Sequence, residues 1–254
     1  MNTLITGASS GIGEALARAC AKRGDRLFIC GRNAERLAAV ADACRADGAE
    51  VHEQIVDVTD EDAMRRWLQD SNAISPLDRV FANAGVSTGE ETEANSRRTF
   101  AINVGGCVNT VHPAIEIFRA RKPADGPIPG HPQIVITASI AGYGPLKACP
   151  AYSATKSCVK TWGLALRGML APEGIRVSVV CPGFVRSRIT DGNTCPMPFF
   201  MEADKAAATI LRRADRNIGV ISFPWPMRLA TWWLSTLPYR LNELVNLLLP
   251  KKVL

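Results

Sequence analysis

Three polar residues in the middle of the chain have the types and spacing needed for acid–base chemistry. Tyr152 and Lys156 are four residues apart in a segment with helical spacing, so they share one helix face. A nearby ammonium favours the phenolate, and we therefore expect Lys156 to lower the pKa of Tyr152. Ser139 follows an apolar strand pattern at residues 134–138 and can hydrogen-bond the same substrate oxygen. The set predicts proton transfer to or from a carbonyl oxygen near neutral pH. Taken alone, the Tyr-x-x-x-Lys spacing is also typical of an ordinary exposed helix face.

The start of the chain carries a second pattern, in which a strand enters a glycine-rich turn and then a helix. Residues 3–6 are prone to form a strand, and an alanine-rich helical pattern follows the glycines. In this context Gly7 allows the turn, Gly11 a close approach of a phosphate, and Gly13 tight helix–strand packing. The N–H groups and dipole at the helix start favour an anion, and a serine hydroxyl can donate to it or cap the helix. A plain glycine turn is the alternative. The predicted cofactor contacts here are Gly7, Ser9, Ser10, Gly11, Ile12 and Gly13.

Three further strand ends carry candidate cofactor residues. The second strand ends without a carboxylate, and Arg32 can pair with a 2′-phosphate, which predicts NADP rather than NAD. The alternative is a solvated arginine at a helix start. Asp57 is placed to accept from an adenine amino group, or else to cap a helix near Thr59 and Asp60. The fourth strand is followed by small residues that allow close approach of a cofactor, namely Asn83, Ala84 and Gly85.

Strand and helix patterns alternate along the chain up to residue 223. Predicted strands cover residues 3–6, 26–30, 51–56, 77–81, 133–138, 177–181 and 220–223. Predicted helices cover residues 12–23, 34–46, 60–68, 95–118, 151–170 and 201–213, with a surface loop at 122–132. Strands that are apolar almost throughout indicate a parallel sheet covered on both faces. We predict an α/β fold, a Rossmann-like doubly wound, seven-stranded parallel sheet with helices on both faces. Ligands of such sheets bind beyond the carboxyl ends of the strands, where the motifs above should meet.

Composition limits the function classes. The chain has 254 residues, of which 47% are hydrophobic and 21% charged, with a net charge of +6. That charge suits a multiply phosphorylated cofactor, and no basic block interleaved with aromatics points to nucleic acid. The eight cysteines form no Cys-x-x-Cys pair and indicate reduced, packed thiols of a cytoplasmic protein, and the three histidines have no metal-ligand spacing. We see neither a secretory signal nor an apolar stretch of about eighteen residues that could span a membrane.

In this order, the motifs resemble those of the classical short-chain dehydrogenases/reductases over residues 2–223. The matching motifs are Thr6-Gly7-Ala8-Ser9-Ser10-Gly11-Ile12-Gly13, Asp57-Val58, Asn83-Ala84-Gly85, Asn103, Ser139, Tyr152-Ser153-Ala154-Thr155-Lys156 and Pro182-Gly183. The resemblance implies a catalytic tetrad of Asn103, Ser139, Tyr152 and Lys156. In it Tyr152 is the acid/base, and Lys156 binds the nicotinamide ribose and tunes the tyrosine. Ser139 positions the substrate oxygen, and Asn103 holds a water that links Lys156 to solvent.

The resemblance also implies the remaining cofactor contacts and an oligomer. Val58 follows the adenine-side aspartate, and the residues that flank the nicotinamide are Pro182, Gly183, Val185, Ser187 and Ile189. Ser187 stands where the family usually has threonine, and Ala82-Asn83 where many members have two asparagines. Arg32, without an acid at Gly31, resembles the NADP-preferring members. Members often form homodimers or homotetramers through their two long helices, and we expect the same here.

The family pattern is weakest at the substrate end. We assign residues 1–223 to one dinucleotide-binding catalytic domain and 224–254 to an apolar C-terminal extension. Residues 195–201 form either an apolar lid or ordinary loop packing. The extension combines paired tryptophans with cations, which suits either peripheral membrane contact or a helical flap on the substrate mouth or a second subunit. We expect an NADP(H)-dependent oxidoreductase that interconverts a carbonyl and an alcohol on an apolar small molecule. The alternative is a dinucleotide-binding sensor or scaffold without turnover.

Overall fold

A seven-stranded parallel sheet forms the centre of the molecule. The computed structural model describes residues 1–121, 130–191 and 196–248. The strands are β1 (Asn2–Thr6), β2 (Arg26–Gly31), β3 (Val51–Ile55), β4 (Arg79–Ala82), β5 (Gln133–Thr137), β6 (Arg176–Pro182) and β7 (Val220–Phe223). Their order in the sheet is β3-β2-β1-β4-β5-β6-β7, and every neighbouring pair is parallel. The predicted fold class is confirmed.

Helices cover both faces of the sheet. They are α1 (Gly11–Ala21), α2 (Ala34–Ala46), α3 (Glu61–Ile74), α4 (Glu93–Phe100), α5 (Gly106–Arg119), α6 (Pro150–Leu170), α7 (Arg188–Asp191), α8 (Ala203–Asp215), α9 (Trp225–Thr236) and α10 (Tyr239–Leu248). One apolar core lies between the sheet and α3, α5 and α6, and the other between the sheet and α1, α2 and α8.

Alternation along the strands explains why their sequences are apolar throughout. Successive side chains of a strand point to opposite faces of a sheet. Leu4 belongs to the core beneath α3, α5 and α6, and Ile5 belongs to the core beneath α1, α2 and α8. Both side chains are fully buried. Val80 and Phe81 divide in the same way on β4. Each such side chain stabilises the fold by about 1.5–3 kcal/mol when buried. A polar residue on either face of the central strands would therefore destabilise the protein.

The predicted helix at 95–118 is interrupted in the structure. A π-helical turn, Ala101–Gly105, separates α4 from α5 and contains Asn103. Its C-terminal neighbour Gly106 packs so closely on Val58 that an added Cβ would lie 2.4 Å from Cγ2 of Val58. The interruption follows from this long-range contact and from side-chain bonds of Asn103, which hydrophobic spacing does not encode.

Other predicted boundaries differ by a few residues. The third helix begins after its N-cap Asp60, whose side chain accepts from the Ala63 N–H, and it runs on to Ile74. The fourth strand starts at Arg79 rather than residue 77 and the helix before β7 at Ala203 rather than 201. Residues 122–129 of the predicted loop lie outside the described part of the chain.

Two short helices follow the last strand. Helix α9 packs on β7 and on a 3₁₀ turn, Ile140–Tyr143. The Asn242 side chain of α10 donates to the Leu234 carbonyl at 2.8 Å and ties the two helices together. Within the described residues, no helix is both long and apolar enough to cross a bilayer.

Candidate active site

The carboxyl ends of the strands open into one large cleft of about 1150 Å³. The predicted site residues that line it are Gly7, Ser9, Ser10, Gly11, Ile12, Arg32, Val58, Asn83, Ala84, Gly85, Ser139, Tyr152, Lys156, Pro182, Gly183, Val185, Ser187 and Ile189. Gly13, Asp57 and Asn103 lie behind the lining. The structure thus brings residues from the ends of six strands to one place.

The glycine turn after β1 has the close contacts that exclude side chains. Gly7 and Gly11 have positive φ values of 67° and 59°. A Cβ on Gly7 would lie 2.8 Å from the Ala84 Cα, and one on Gly13 would lie 2.2 Å from the Gly7 carbonyl oxygen. Ser10 is the N-cap of α1, but its side chain makes no capping bond, so the capping alternative does not apply to it. The start of α1 faces the cleft, where its N–H groups and dipole favour an anion.

Asn83 and Thr6 join three strand ends beneath this turn. The Thr6 hydroxyl oxygen accepts from the N–H groups of Asn83 and Ala84, at 3.0 and 3.1 Å. The Asn83 amide donates to the Thr6 carbonyl at 3.1 Å and accepts from the Thr137 hydroxyl at 3.2 Å. The side chain of Asn83 therefore holds β1, β4 and β5 in register beside the cleft.

The end of β2 presents two arginines. Arg32 is half-exposed and lies 3.4 Å from an Asp57 carboxylate oxygen, while Asn33 caps α2 by accepting from the Arg36 N–H. Arg36 also lines the cleft, and its Nε is buried without a hydrogen-bond partner. A buried guanidinium nitrogen without a partner suits a site built for an anion. Arg36 was missed from the sequence, although its position four residues after Arg32 at a helix start was a usable signal.

Asp57 is already engaged within its own turn. One carboxylate oxygen accepts from the N–H and the hydroxyl of Thr59, both at 2.9 Å. Burial acts to raise the pKa of Asp57, but these bonds and the charge of Arg32 hold it below its usual value. The capping alternative was wrong in detail, because Asp60 caps α3 while Asp57 closes the turn before it.

Ser139, Tyr152 and Lys156 form one wall of the cleft. Ser139 accepts from the Ala141 N–H at 3.1 Å and is hydrogen-bonded to the Tyr152 side chain. Lys156 Nζ donates to the Thr137 carbonyl at 2.8 Å and lies 5.7 Å from the centroid of the Tyr152 ring. One turn of α6 thus sets the tyrosine and the lysine against the ends of β5 and of the loop after it.

Burial dominates the pKa values of this pair. It raises the pKa of Tyr152 to about 12, and the bond with Ser139 offsets only part of the increase. It lowers the pKa of Lys156 from 10.5 to about 8. The expectation that Lys156 would lower the pKa of Tyr152 below its usual value is therefore wrong for the protein without cofactor. Nζ is turned toward Thr137 rather than the phenol oxygen, and both charged forms are poorly solvated.

Asn103 supports this wall from behind. Its side chain accepts from the Val86 N–H at 2.8 Å and donates to the Val86 carbonyl at 2.9 Å and the Thr155 hydroxyl at 3.0 Å. The side chain is occupied by these bonds, so a water-holding role would fall to its backbone. A Cβ on Gly85 would lie 3.2 Å from both Asn103 Oδ1 and Lys156 Nζ, which shows how closely the two side chains approach the loop.

The loop after β6 forms the opposite wall. The Gly183 N–H donates to the Phe223 carbonyl at 2.8 Å, and the Ser187 N–H donates to the Thr190 hydroxyl oxygen at 2.9 Å. Ser187 also abuts the glycine turn, since a Cβ on Gly11 would lie 2.8 Å from the Ser187 Cβ. The hydroxyl that pairs with the serine comes from Thr190, a buried residue that the sequence did not single out.

One end of the cleft is apolar and includes part of the C-terminal extension. Its lining residues there are Tyr143, Leu146, Pro196, Pro198, Met227, Leu234 and Val245. Within residues 195–201, for which the sequence predicts either an apolar lid or ordinary loop packing, Pro196 and Pro198 line the cleft. Cys195 lies outside the described residues. The flap alternative for the extension is consistent with α9 and α10 contributing to the lining.

Charge and shape fit a phosphorylated dinucleotide. The charged residues that line the cleft in the described chain are all cations, namely Arg32, Arg36, Arg98, Lys147, Lys156 and Arg188, and no carboxylate lines it. The glycine turn leaves room for a phosphate at the start of α1. Among the described residues, no group of three or more His, Cys, Asp or Glu side chains is placed to hold a metal ion.

Comparisons with known proteins agree with this geometry. The protein family described as short chain dehydrogenase matches residues 1–195. An uncharacterised oxidoreductase of Myxococcus xanthus is 36% identical over 242 residues, which cover 92% of each chain. The crystal structure of a short-chain dehydrogenase/reductase from Burkholderia phymatum in complex with NAD has a TM-score of 0.81 at 25% identity, and covers 99% of this chain and 96% of its own. A short-chain dehydrogenase from Sphingobium yanoikuyae in complex with NADPH has a TM-score of 0.79 at 26% identity, with coverage of 97% and 93%.

Proposed function

This chain belongs to the short-chain dehydrogenase family of NAD(P)-dependent oxidoreductases, and from that premise we propose that it is an NADP(H)-dependent carbonyl reductase, or alcohol dehydrogenase in reverse, for apolar small molecules. The observation that carries the proposal is the set of Ser139, Tyr152 and Lys156 in the wall of a cleft whose charged lining residues, in the described part of the chain, are all cations and whose one end is apolar. When bound, a nicotinamide cofactor supplies or accepts the hydride.

Tyr152 is the proton donor in the reductive direction. With a pKa raised to about 12, its hydroxyl is protonated at neutral pH and can give its proton to a carbonyl oxygen that gains negative charge. The phenolate that remains is stabilised by its hydrogen bond with Ser139, the contact that offsets part of the rise in the pKa of Tyr152. In the oxidative direction the same groups take the proton back.

Lys156 and Ser139 hold the reacting groups in place. Lys156 is anchored on the Thr137 carbonyl, so its remaining N–H donors are available to the nicotinamide ribose. Ser139 accepts from the Ala141 N–H at 3.1 Å and donates to the Pro182 carbonyl at 3.4 Å, and its side chain is also hydrogen-bonded to the tyrosine. Asn103 positions the set through Thr155 and Val86. Pro182, Gly183, Val185 and Ser187 border the space for the nicotinamide ring.

The preference for NADP over NAD rests on the two arginines after β2. A dinucleotide lying over Gly31 would place its adenosine ribose near Arg32, and the partnerless Nε of Arg36 marks a second donor for a 2′-phosphate. Arg32 can leave Asp57 at little cost, because their 3.4 Å contact is half-exposed.

The test is cofactor oxidation with NADPH and NADH over a series of ketones and aldehydes of increasing apolar size. We expect turnover that prefers NADPH and rises with apolar size, since one end of the cleft is apolar. Tyr152→Phe keeps the ring and its packing, and should lower kcat by a hundredfold or more, within the range of about 10²–10⁴ for acid–base catalysis.

Two results would contradict the proposal. Full activity of Tyr152→Phe would remove the tyrosine from the chemistry. Tight NADPH binding without turnover of any carbonyl or alcohol in the series would favour the alternative, a dinucleotide sensor without turnover.

A further inference from the structure

Helix α9 has two apolar faces, and among the described residues only one of them packs against the rest of the fold. Met227, Thr231 and Leu234 recur at helical spacing and line the cleft. On the opposite side, at the same spacing, the helix carries Trp225, Leu229, Trp232 and Trp233, which we call the outer face. Each of these four side chains is more than half exposed, Trp225 by 74%.

Further exposed apolar side chains occur on α10, which the Asn242–Leu234 hydrogen bond ties to α9. Leu241 and Leu244 are about half exposed, at 49% and 57%. Phe199, one residue after the cleft-lining Pro198, is 57% exposed. A concentration of exposed apolar side chains in one part of the chain is typical of an interaction site.

We propose that the outer face of α9, with Leu241 and Leu244 of α10, rests in the interface of an anionic lipid bilayer and sets the cleft mouth against it. The proposal goes beyond the proposed function and does not depend on turnover.

Composition favours a lipid surface over a second copy of the chain. Three of the four outer-face residues of α9 are tryptophans, and indole rings have an apolar body and a polar N–H that suit the headgroup boundary. The exposed cations Arg228 and Arg240 flank the face, whereas Glu243 is the one acid between residues 224 and 248. A cationic, tryptophan-rich, short amphipathic helix is typical of interfacial binding.

The position of the helix supports the same occupant. The side of α9 that faces away from the outer face forms part of the apolar end of the cleft. A bilayer beneath α9 would therefore lie one helix diameter from the site at which an apolar carbonyl must arrive, about 10 Å. Apolar molecules concentrate in the hydrocarbon phase, so this placement supplies them to the cleft without passage through water.

The test measures flotation of the full chain, without cofactor or substrate, on vesicles of phosphatidylcholine mixed with phosphatidylglycerol. The variant Trp225→Ser/Leu229→Ser/Trp232→Ser/Trp233→Ser removes the outer face of α9. The matched control, Ile74→Ser/Met169→Ser, changes two apolar side chains that are equally exposed, at 53% and 54%, on α3 and α6. We expect the wild type and the control to bind the vesicles. The affinity of the variant for the vesicles should be lower by about a hundredfold or more.

Sedimentation velocity and activity on a water-soluble ketone accompany the flotation. The variant should keep the oligomeric state and the turnover of the wild type, which shows that it folds. The proposal is overturned if the wild type does not bind the vesicles, or if the variant binds as well as the control. It is also overturned if the variant dissociates into smaller species and the wild type does not bind the vesicles, because the outer face is then a subunit interface. None of these results bears on whether Tyr152 catalyses carbonyl reduction.

Discussion

Tyr152 and Lys156 are neighbours whose pKa values move in opposite directions for one reason. The cleft wall solvates charge poorly, so it disfavours the phenolate and the ammonium alike. Both shifts leave the tyrosine protonated and the lysine near its titration point close to neutral pH. Residues with such shifts in a cleft are typical of active sites.

The burial of Lys156 makes a prediction about stability. Its pKa is about 8 in the folded protein and 10.5 in the unfolded chain. At pH 7 the burial of the charged ammonium therefore lowers the free energy of unfolding. That cost is fully present below pH 8 and fades as the pH rises toward 10.5, because the unfolded chain then binds more protons than the folded one. Lys156→Met removes the cost.

We therefore expect the stability of Lys156→Met relative to wild type to fall by roughly 2 kcal/mol between pH 7 and about pH 9.5. Urea unfolding of the protein without cofactor measures it. The loss of the bond to Thr137 is independent of pH and cancels in this difference. A relative stability that does not change with pH would show that Lys156 is not buried as a charge.

The two arginines after β2 make a prediction about cofactor choice. Arg32→Ala/Arg36→Ala removes charge-assisted donors that only a 2′-phosphate needs. The dissociation constant of NADPH should rise about a hundredfold or more, while that of NADH should change by less than about threefold. Binding titrations by fluorescence measure both constants.

Arg45→Ala is the matched control for this pair. Arg45 lies on α2, as Arg36 does, but it pairs with Asp42 and Glu53 and does not line the cleft. It should leave both constants unchanged. Equal weakening of NADPH and NADH in the double variant would contradict the assignment of the 2′-phosphate site.

At the scale of elements, the junction of β1 and α1 is a close backbone packing that only glycine permits. Gly13→Ala places a methyl group 2.2 Å from the Gly7 carbonyl oxygen, which belongs to the backbone and cannot turn aside. We expect a loss of about 1–3 kcal/mol or more in the free energy of unfolding, together with weaker cofactor binding.

Gly168→Ala tests the same change where there is room. Gly168 is exposed inside α6, and no atom lies within 4 Å of its added Cβ. Alanine there should stabilise the protein by about 0.5–1 kcal/mol, because it lowers the entropy of the unfolded chain and favours the helix. Denaturant unfolding of both variants gives the comparison. A Gly13→Ala protein as stable as the wild type would show that the junction is not packed as described.

The π turn between α4 and α5 shows what local spacing leaves out. The apolar positions from 95 to 118 have a single helical period, and they predict one helix. Asn103 departs from that period, since its bonds to Val86 and Thr155 pull the backbone toward the cleft wall. π turns are frequent at functional sites, where an extra residue re-aims a side chain.

At the scale of the whole molecule, the parallel sheet explains why separate motifs form one site. The glycine turn, Asn83, Ser139 and Gly183 each follow a strand, Pro182 ends one, and parallel strands all end at one edge. Strand runs and turn glycines are local signals, so the sheet, its covered faces and most of the cleft lining could be predicted from the sequence. Contacts that depend on tertiary packing could not.

Three parts of the site illustrate the limit. Arg36 reaches the cleft because α2 packs at a particular angle on the sheet. The lysine–tyrosine pKa pattern depends on burial and on the direction of Nζ. Met227 and Leu234 line the cleft because α9 folds back over the 3₁₀ turn at Ile140–Tyr143. Spacing places Arg36 near Arg32 but does not show that its Nε is buried, and the other two parts require the long-range arrangement, which neither periodicity nor spacing encodes.

The central claim is that a hydride passes between nicotinamide C4 and a carbonyl carbon while Tyr152 supplies the proton. It is tested most sharply by measuring where an isotope label on NADPH is transferred. NADPH that carries deuterium at the transferring position of nicotinamide C4 is incubated with the apolar ketone that turns over fastest, and the alcohol is analysed by mass spectrometry. We expect an alcohol with deuterium on its carbinol carbon, and little product from Tyr152→Phe. An alcohol without deuterium, or undiminished product from Tyr152→Phe, would contradict it.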